Sequence, residues 1–241
     1  MTIQLNLFLS FLLISSLNFS SSAVYAQDNS LTPQEKASGW RLLFNGKDLS
    51  GWSSPKGTAL DTDWKVENGV LSLNETGTKT HLDMISADEY SDFDLRVDFK
   101  LTEGANSGIK YFFTRYNEGG WLGMEFQIID NAHHPDAKLG RDENRQLTAL
   151  YDMIPVTKKV AVKVGEWNHA RIVSKGSQVT HYLNGQEVLR YDRKSSAFEQ
   201  ARQLSKFKEA KPAFGSVSKG HILLQDHGDI VYFKNVKIKA L

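Results

Sequence analysis

Short runs of alternating apolar and polar residues follow one another along most of this sequence, and they restrict it to a fold built from β-strands. In residues 93–101 every second side chain is apolar and those between are charged. Such alternation places one face of a strand against a core and the other in water. From Trp40 onward, strand-like runs recur roughly every 8 to 15 residues, which is typical of a β-sandwich or barrel.

Two Asn-Gly pairs predict the positions of tight turns. Asn68-Gly69 and Asn184-Gly185 each lie between two runs rich in apolar residues. Both central residues of a type I′ turn have positive φ, a conformation that asparagine and glycine adopt at low cost. Each pair therefore predicts a hairpin of two antiparallel strands.

The end of the chain predicts a third pair of strands, residues 221–225 and 230–233, which a turn over residues 226–229 would join. Beyond that pair, the apolar positions change parity near Lys234-Asn235. One extra residue in a β-bulge has this effect, so we expect a bulge there.

One segment has the period of a helix. Ser196 and Glu199 have the spacing of a capping box. The apolar residues after Ser196 share near-helical spacing: Phe198, Ala201, Leu204 and Phe207. We expect one short amphipathic helix over residues 197–208. Many strands and one helix predict an all-β fold, a two-sheet sandwich of the jelly-roll type.

The first 26 residues have the pattern of an export signal. They carry no charged side chain, residues 5–17 are mostly apolar, and Val24 and Ala26 are the small residues that signal peptidase requires. The apolar stretch is shorter than the roughly 20 residues that cross a bilayer, although a retained anchor helix is the alternative. We expect cleavage after Ala26, a periplasmic or secreted protein without an integral membrane segment, a flexible leader over 27–36 and one domain over 37–241.

Composition and missing motifs exclude several classes of function. The chain has no cysteine, and its 29 Lys and Arg against 28 Asp and Glu give a formal net charge of +1. A nearly neutral chain has no overall electrostatic attraction to nucleic acid. It contains no phosphate-binding loop, no dinucleotide-binding glycine pattern, no Gly-x-Ser-x-Gly and no His-Glu-x-x-His. We expect no nucleic acid or nucleotide partner and no cofactor.

The period of two in the strands predicts where polar chemistry lies. In residues 122–130, Glu125 and Gln127 fall on the face opposite Met124, Phe126 and Ile128. Near the end of the chain, Gln225 and His227 share a face if that strand extends so far. The two segments thus present four polar side chains: Glu125, Gln127, Gln225 and His227. If both strands belong to one sheet, the group lines one pocket.

Such a pocket suits a sugar, because amides and carboxylates bind hydroxyl groups while aromatic rings cover C–H faces. Trp121, Tyr111 and Tyr151 are the aromatic residues available, and Asn106 before a buried strand is a further polar candidate. A solvated strand carboxylate is the alternative interpretation of Glu125.

Residues 130–137 contain two adjacent histidines between aspartates, a composition that also occurs in metal sites. Consecutive residues rarely point to one ion, and no His-x-x-x-His spacing is present. The alternative is a turn held by Asp130, with His134 reaching the rim of a binding site. The pattern leaves a metal undecided.

The sequence resembles the 3-keto-disaccharide hydrolase domain family, long described as a domain of unknown function. The resemblance extends over nearly all of the chain after the N-terminal signal. Six elements carry it in order: residues 43–52 (LFNGKDLSGW), 106–109 (NSGI), 125–131 (EFQIIDN), 149–152 (ALYD), the pair 166–168 (EWN) with 183–185 (LNG), and 224–228 (LQDHG). One departure is Lys234, where an arginine is common.

The resemblance implies a concanavalin-like jelly roll that acts on oxidised sugars in the bacterial envelope. A ketone at C3 acidifies the C2 proton, so a base can start an elimination that releases the C1 substituent. On this basis Glu125 and His227 are the candidates for proton transfer, with His134 as a second acid. Substrate-binding candidates are the remaining polar and aromatic residues: Gln127, Gln225, Asn106, Tyr151, Trp121 and Asp130.

Other classes of function remain compatible with the same fold. A standard glycosidase needs two carboxylates at a set separation, and here only Glu125 stands out. A non-catalytic carbohydrate-binding module needs only amides and aromatic platforms, and a structural envelope domain needs neither. A closed pocket in which Glu125 and His227 converge would favour catalysis over these.

Overall fold

The computed structural model describes residues 27–57, 59–60, 63–73 and 82–241, and it confirms the predicted sandwich of two antiparallel sheets. The larger sheet has the order β11-β10-β9-β6-β13-β4-β3, with β1 also paired with β13. Its strands are β1 (Trp40–Leu42), β3 (Trp64–Glu67), β4 (Val70–Leu73), β6 (Phe93–Leu101), β9 (Trp167–Lys175), β10 (Gln178–Leu183), β11 (Gln186–Asp192) and β13 (Val231–Ala240).

The smaller sheet has the order β2-β5-β12-β7-β8. Its strands are β2 (Trp52–Ser53), β5 (Met84–Tyr90), β7 (Asn106–Tyr116), β8 (Gly120–Ile129) and β12 (Gly220–Leu224). One main core cluster contains apolar residues of both sheets, and the rings of Phe93 and Tyr111 meet across it with centroids 6.1 Å apart. Burial of such rings supplies most of the free energy that holds the sheets together.

Both predicted hairpins are confirmed. Asn68-Gly69 joins β3 to β4 and Asn184-Gly185 joins β10 to β11, and all four residues have positive φ, from 49° to 78°. The predicted bulge is also present, because the register of β13 against β6 shifts between Lys234 and Lys237.

The third predicted pair of strands is wrong. β12 pairs with β5 and β7 in the smaller sheet, whereas β13 pairs with β6, β4 and β1 in the larger one. The segment between them therefore crosses from one sheet to the other. A short connection within one sheet and a short connection between two sheets both consist of polar turn residues. The local sequence pattern therefore does not distinguish a hairpin from a crossover.

The predicted helix is present but shorter. α2 covers Ser196–Gln203, and its N-cap is Ser195, whose hydroxyl accepts from Phe198 N, so the capping box predicted at Ser196 is wrong. Glu199 instead binds Arg202 and Gln203. After Gln203 the chain turns, and Leu204 is 65% exposed rather than on the buried face.

Residues 27–36, predicted as a flexible leader, make ordered contacts. Thr32 caps the short helix α1 (Pro33–Ala37) in a complete capping box with Glu35. Asn29 bonds with Asn235 in both directions, at 2.6 and 2.8 Å. The bulge in β13 presents Asn235 to residues 27–36. Nothing in the sequence of residues 27–36 indicates that Asn29 contacts a residue 206 positions away. The predicted export signal lies outside the described residues, and none of the helices described has the length and apolarity to cross a bilayer.

Candidate active site

The outward face of the smaller sheet carries the polar residues that the alternation predicted. Met124, Phe126 and Ile128 of β8 belong to the main core, so Glu125 and Gln127 between them point to the opposite side. In the register of β7 against β8, Lys110 lies opposite Glu125, and Gly108 lies opposite Gln127.

This face forms the floor of a pocket of about 170 Å³. The structure brings seven of the nine predicted site residues to it: Asn106, Trp121, Glu125, Gln127, Tyr151, Gln225 and His227. The remaining residues of the lining were not predicted: Lys110, Leu122, Gly123, Lys206 and Phe207. Pockets for drug-sized ligands measure about 300 to 1,000 Å³, so this one is sized for a single sugar ring.

Glu125 is the buried acid of the pocket, with 6% of the residue exposed. Burial raises its pKa above the usual range of a glutamate, and the positive charges of Lys110 and Lys206 oppose that rise. Lys110 Nζ lies 3.7 Å from Glu125 Oε2. A carboxylate with a raised pKa is a stronger base than an ordinary one once it is ionised, as proton abstraction requires.

Two neighbours fix the position of the Glu125 side chain. A Cβ at Gly108 would lie 2.6 Å from Glu125 Oε1, so glycine is required at that position. The amide of Gln127, oriented with its nitrogen toward Glu125, donates to Oε1 at 2.9 Å and to Ser107 O at 3.1 Å. The carboxylate therefore lies directly on the sheet and is held by a neutral donor.

Gln225 and His227 reach the pocket from the segment that follows β12. Gln225 N donates to Gly108 O, which extends the pairing beyond the end of β12. The turn is then held by Asp226, whose carboxylate accepts from Leu82 N and Gly228 N at 2.8 and 2.9 Å. Gln225 Oε1 is buried and has no hydrogen-bond donor in the described protein, so it is available to a ligand hydroxyl.

Tyr151 reaches the pocket because its segment pairs with the outer edge of β8. Thr148 N donates to Gln127 O and Tyr151 N donates to Glu125 O, at 2.8 and 3.1 Å. The Tyr151 hydroxyl bonds with Asp136, and both burial and this bond raise the pKa of the phenol. Tyr151 is therefore a neutral hydrogen-bonding group at neutral pH.

Lys206 and Phe207 come from the turn after α2, which distant contacts hold in place. Lys206 N donates to Asp152 Oδ2 at 2.8 Å, and Lys206 Nζ lies 4.3 Å from the Tyr151 ring centroid. Desolvation lowers the pKa of Lys206, and Glu125 and Asp152 oppose that change. Lys206 was not predicted as a site residue because the apolar spacing of residues 197–208 predicts a helix there.

Lys110 was missed for a different reason. It stands in a run of apolar residues, where a single lysine on a strand is normally a solvated charge. Its role in the pocket could have been predicted only from its position opposite Glu125. That position is known only once β7 is known to pair with β8.

His134 lies outside the pocket lining, near its rim. Its Nδ1 accepts from Asp136 N at 3.1 Å, and its ring centroid is 6.1 Å from that of His227. Since neutral imidazole has one N–H, an accepting Nδ1 leaves the proton on Nε2, which lies 3.9 Å from Asp229 Oδ2. His134 can therefore donate a proton from Nε2.

His134, His227 and Asp229 also form a group whose ligand atoms lie within 4.8 Å of one another. Two histidines and a carboxylate suit several divalent metals. A metal on His134 Nε2 would need a lone pair there, and the bond from Asp136 N instead makes that nitrogen an N–H. The tautomer inferred from the bond of Asp136 N thus favours a proton donor over a metal ligand.

Asp130, predicted as a substrate-binding residue, does not line the pocket. Its carboxylate accepts from Gly104 N, Ala132 N and His133 Nδ1, at 2.9, 3.0 and 2.7 Å. Burial acts to raise its pKa, but the bonds from Gly104 and His133 outweigh this effect and lower it. Asp130 therefore stabilises the turn after β8. A turn held by Asp130 was one of the two interpretations of residues 130–137 that the sequence left open.

Two larger cavities, each of about 500 Å³, lie elsewhere on the described surface. One is lined by residues of the segments 130–133, 146–148 and 156–164, and the other lies on the outward face of the larger sheet. Neither contains a buried acid with a raised pKa. The chemistry of the residues, rather than cavity size, identifies the pocket around Glu125 as the candidate site.

A β-sandwich with a small pocket of carboxylate, amide, imidazole and aromatic groups on one sheet defines a carbohydrate-active class of protein. Residues 39–239 match the family described as the 3-keto-alpha-glucoside-1,2-lyase-like domain, and the chain belongs to this family. The family resemblance stated from the sequence is thereby confirmed.

Known relatives agree with this assignment. A protein of Bacteroides thetaiotaomicron described as a 3-keto-disaccharide hydrolase is 34% identical, over 94% of this chain and 87% of that protein. A solved structure of a provisionally assigned glycosyl hydrolase of Parabacteroides distasonis is also 34% identical, with a TM-score of 0.78 over 89% of this chain and all of the other. A second such protein of that organism is 28% identical, with a TM-score of 0.64 over 84% of this chain and 99% of the other. The chain is accordingly an enzyme of the hydrolase class.

Proposed function

We propose that this hydrolase cleaves the glycosidic bond of 3-keto-glycosides, including 3-keto-disaccharides, by proton abstraction, elimination and hydration. The observation that carries the proposal is the pocket lining, in which Glu125 is the only carboxylate among the described residues. Standard glycoside hydrolysis uses two carboxylates about 5 to 10 Å apart. Elimination from a ketone needs one base and a proton donor, and the pocket offers both.

The reaction is balanced as follows. Glu125 takes the C2 proton, and the electron pair of the C2–H bond moves into an enolate with its charge on O3. The enolate expels the C1 substituent, whose oxygen keeps the electron pair of the C1–O bond and takes a proton from a histidine N–H. Water then adds through its oxygen at C1 of the enone and returns one proton to the histidine. C2 regains a proton from Glu125, whose carboxyl proton exchanges with solvent, which yields the free 3-keto sugar and restores both residues.

The pocket residues suit these steps. Glu125 provides the base at the floor, and His227, with His134 behind it, provides the acid near the leaving oxygen. Gln225 Oε1 is placed to accept from a sugar hydroxyl. Trp121 is 41% exposed and stacks on Phe113 with ring centroids 5.4 Å apart, so it offers a flat platform to the part of the substrate that leaves the pocket.

The family and its relative are named for different reactions, and the proposed elimination followed by hydration accounts for both names. The family is described by a lyase and the Bacteroides protein by a hydrolase. Elimination alone gives the lyase product, and addition of water to the enone gives the product of hydrolysis. We assign the complete route to this chain because the relative described as a hydrolase matches it over nearly its whole length.

The decisive experiment compares a 3-keto-glucoside with its unoxidised parent. We expect the purified protein to release the aglycone from the ketone only, because the parent lacks an acidic C2 proton. In D₂O the sugar product should contain deuterium at C2, which direct displacement at C1 would not introduce. Release from the parent at a similar rate would overturn the proposal in favour of a standard glycosidase.

A second outcome would support the carbohydrate-binding module instead. In that case the protein would bind either sugar in a titration but release no aglycone from the ketone. The buried position of Glu125 argues against this outcome, since a module that only binds gains nothing from a carboxylate with a raised pKa.

We also propose that the chain is exported with cleavage after Ala26, on the basis of the uncharged apolar stretch in residues 1–26. Mass spectrometry of the protein from its source should find Gln27, or a residue close to it, at the N-terminus. Intact Met1 on protein in the cytosol would contradict export.

A further inference from the structure

We propose that the ammonium of Lys110 stabilises the enolate oxygen O3 that forms when Glu125 removes the C2 proton. This inference rests on the proposed function and adds a catalytic residue that the sequence analysis did not identify. It identifies the ketone oxygen as the part of the substrate that the protein recognises by charge.

The position of Lys110 in the sheet supports this role. β7 lies between β12 and β8, so Lys110 stands at the centre of the polar face, opposite Glu125 on one side and Leu223 on the other. Its side chain is 17% exposed, which is low for a lysine, and it lines the pocket. A cation held there is partly shielded from water, so its interaction with a charge in the pocket is strong.

The distance to Glu125 leaves room for a second partner. Lys110 Nζ and Glu125 Oε2 are 3.7 Å apart, which is an ion pair but longer than a hydrogen bond. Glu125 Oε1 is already held by the amide of Gln127. The ammonium has three N–H donors, and a substrate oxygen above the sheet can accept one of them without breaking the pair.

The charge balance of the step explains why a lysine beside the base is useful. Before proton transfer, Lys110 is paired with the Glu125 carboxylate. After transfer, Glu125 is neutral and the negative charge lies on O3 of the substrate. Asp83 lies close enough to interact with Lys110 in both states. Within the pocket, Lys110 therefore faces a negative charge before and after the transfer, and the C2–H electron pair moves toward a positive charge that is already in place. Preorganised charge of this kind is often the largest contribution to catalysis.

Lys206 is a less favourable candidate for the same role. It also lines the pocket, but its Nζ lies over the Tyr151 ring, 4.3 Å from the centroid, whereas Lys110 Nζ lies 3.7 Å from Glu125 Oε2. We therefore expect loss of Lys206 to reduce turnover less than loss of Lys110.

The test uses Lys110→Met, with Lys110→Arg to retain the charge and Lys100→Met as a matched control. Lys100 is a strand lysine of the larger sheet that lies over the Tyr232 ring at 4.5 Å, away from the pocket. With a 3-keto-glucoside, we expect kcat of Lys110→Met to fall about 10²- to 10³-fold with little change in KM, the loss typical of one oxyanion donor. Lys110→Arg should retain more activity, and Lys100→Met should match the unmodified protein.

A second measurement separates catalysis from a structural role. With substrate deuterated at C2, the isotope effect on kcat should rise in Lys110→Met, because enolate formation becomes slower than the later steps. A merely structural lysine would lower thermal stability or raise KM and leave the isotope effect unchanged. If Lys110→Met does not fold, Lys110→Gln, which also removes the charge, provides the same test. Low activity with a raised isotope effect is expected there, and unchanged values would overturn the inference.

The two proposals fail in different ways. If the unmodified protein releases no aglycone from the ketone, the proposed function is wrong and the role of Lys110 is wrong with it. If the unmodified protein is active and Lys110→Met is equally active, only the role of Lys110 is overturned.

Discussion

The outward faces of the two sheets carry similar polar residues, but these residues differ in how deeply they are buried and in their hydrogen-bond partners. On the outward face of the larger sheet, Arg171 makes two bonds to Asp94, at 2.9 and 2.8 Å, and lies 5.0 Å from the Tyr182 ring centroid. Arg96 lies 4.3 Å from the Trp40 ring centroid in the same way. Here the cations have carboxylate or aromatic partners, and the side chains of Arg96 and Arg171 are 42% and 39% exposed.

On the outward face of the smaller sheet, the partners are fewer and the burial is deeper. Glu125 is held by one amide and by a lysine beyond hydrogen-bond distance, and Gln225 Oε1 has no hydrogen-bond donor in the part of the chain that the structure describes. The same residue types therefore give a solvated surface on one sheet and a reactive site on the other. What differs is that Glu125 and Gln225 lie buried in the lining of one pocket, where a substrate can complete their hydrogen bonds and recover the free energy that an unsatisfied buried group costs.

The largest expected effect is that of Glu125→Gln. Loss of the base should reduce turnover of a 3-keto-glucoside about 10²- to 10⁴-fold. The free energy of unfolding should stay the same or increase at neutral pH, because folding raises the pKa of Glu125 and so disfavours its charged form. Aglycone release and urea unfolding measure the two quantities. Full activity in this variant would exclude Glu125 as the base and shift attention to His134.

The second effect concerns the contact between the two sheets. His181 is fully buried, with Nε2 bonded to Tyr111 of the smaller sheet at 2.7 Å and Nδ1 to Thr148 O at 2.9 Å, and desolvation lowers its pKa to about 4. Since the unfolded chain binds this proton with an ordinary pKa of about 6.5, stability is complete above pH 6.5 and declines as pH falls toward 4. The loss is about 3 kcal/mol at 1.36 kcal/mol per pKa unit.

Urea unfolding between pH 7 and pH 4 measures that decline. His181→Gln, which cannot be protonated in this range, should lose the corresponding part of the pH dependence even if its stability at pH 7 is lower. An equally steep decline in His181→Gln would assign the effect to other groups.

A smaller effect concerns the pH dependence of catalysis. Because Glu125 must be ionised to act, kcat/KM should fall as pH decreases through its raised pKa, above the usual range of a glutamate. Lys206→Met removes a positive charge that lowers this pKa, so the acidic limb should move to higher pH. A limb that moves to lower pH, or one that stays in Glu125→Gln, would contradict this assignment.

The smallest effect is expected on the larger sheet. Asp94→Asn removes an ion pair with Arg171, whose side chain is 39% exposed, so the free energy of unfolding should fall by only about 1 kcal/mol or less. Turnover should not change. A loss of turnover comparable with that of Glu125→Gln would show that the two polar faces do not differ in the way described.

Local patterns predicted the features that depend on neighbouring residues alone. Positive φ in the two Asn-Gly turns and the parity of Glu125 against Phe126 follow from the preferences of a few consecutive residues. The helix was less accurate, because Lys206 N bonds to Asp152 and the chain leaves the helix after Gln203. A contact 54 residues away in the sequence leaves no trace in helical periodicity.

The sequence by itself determined that this chain forms a sandwich of alternating strands, and that Glu125, Gln127 and Gln225 point away from the core. The tertiary structure alone decided that β12 belongs with β7 and not with β13, that Asp130 caps a turn, and that Lys110 faces Glu125. The physical reason is the range of the interactions. Periodicity and turn preference act within a few residues, whereas strand pairing, burial and the pKa of Glu125 depend on groups that only the folded chain brings together.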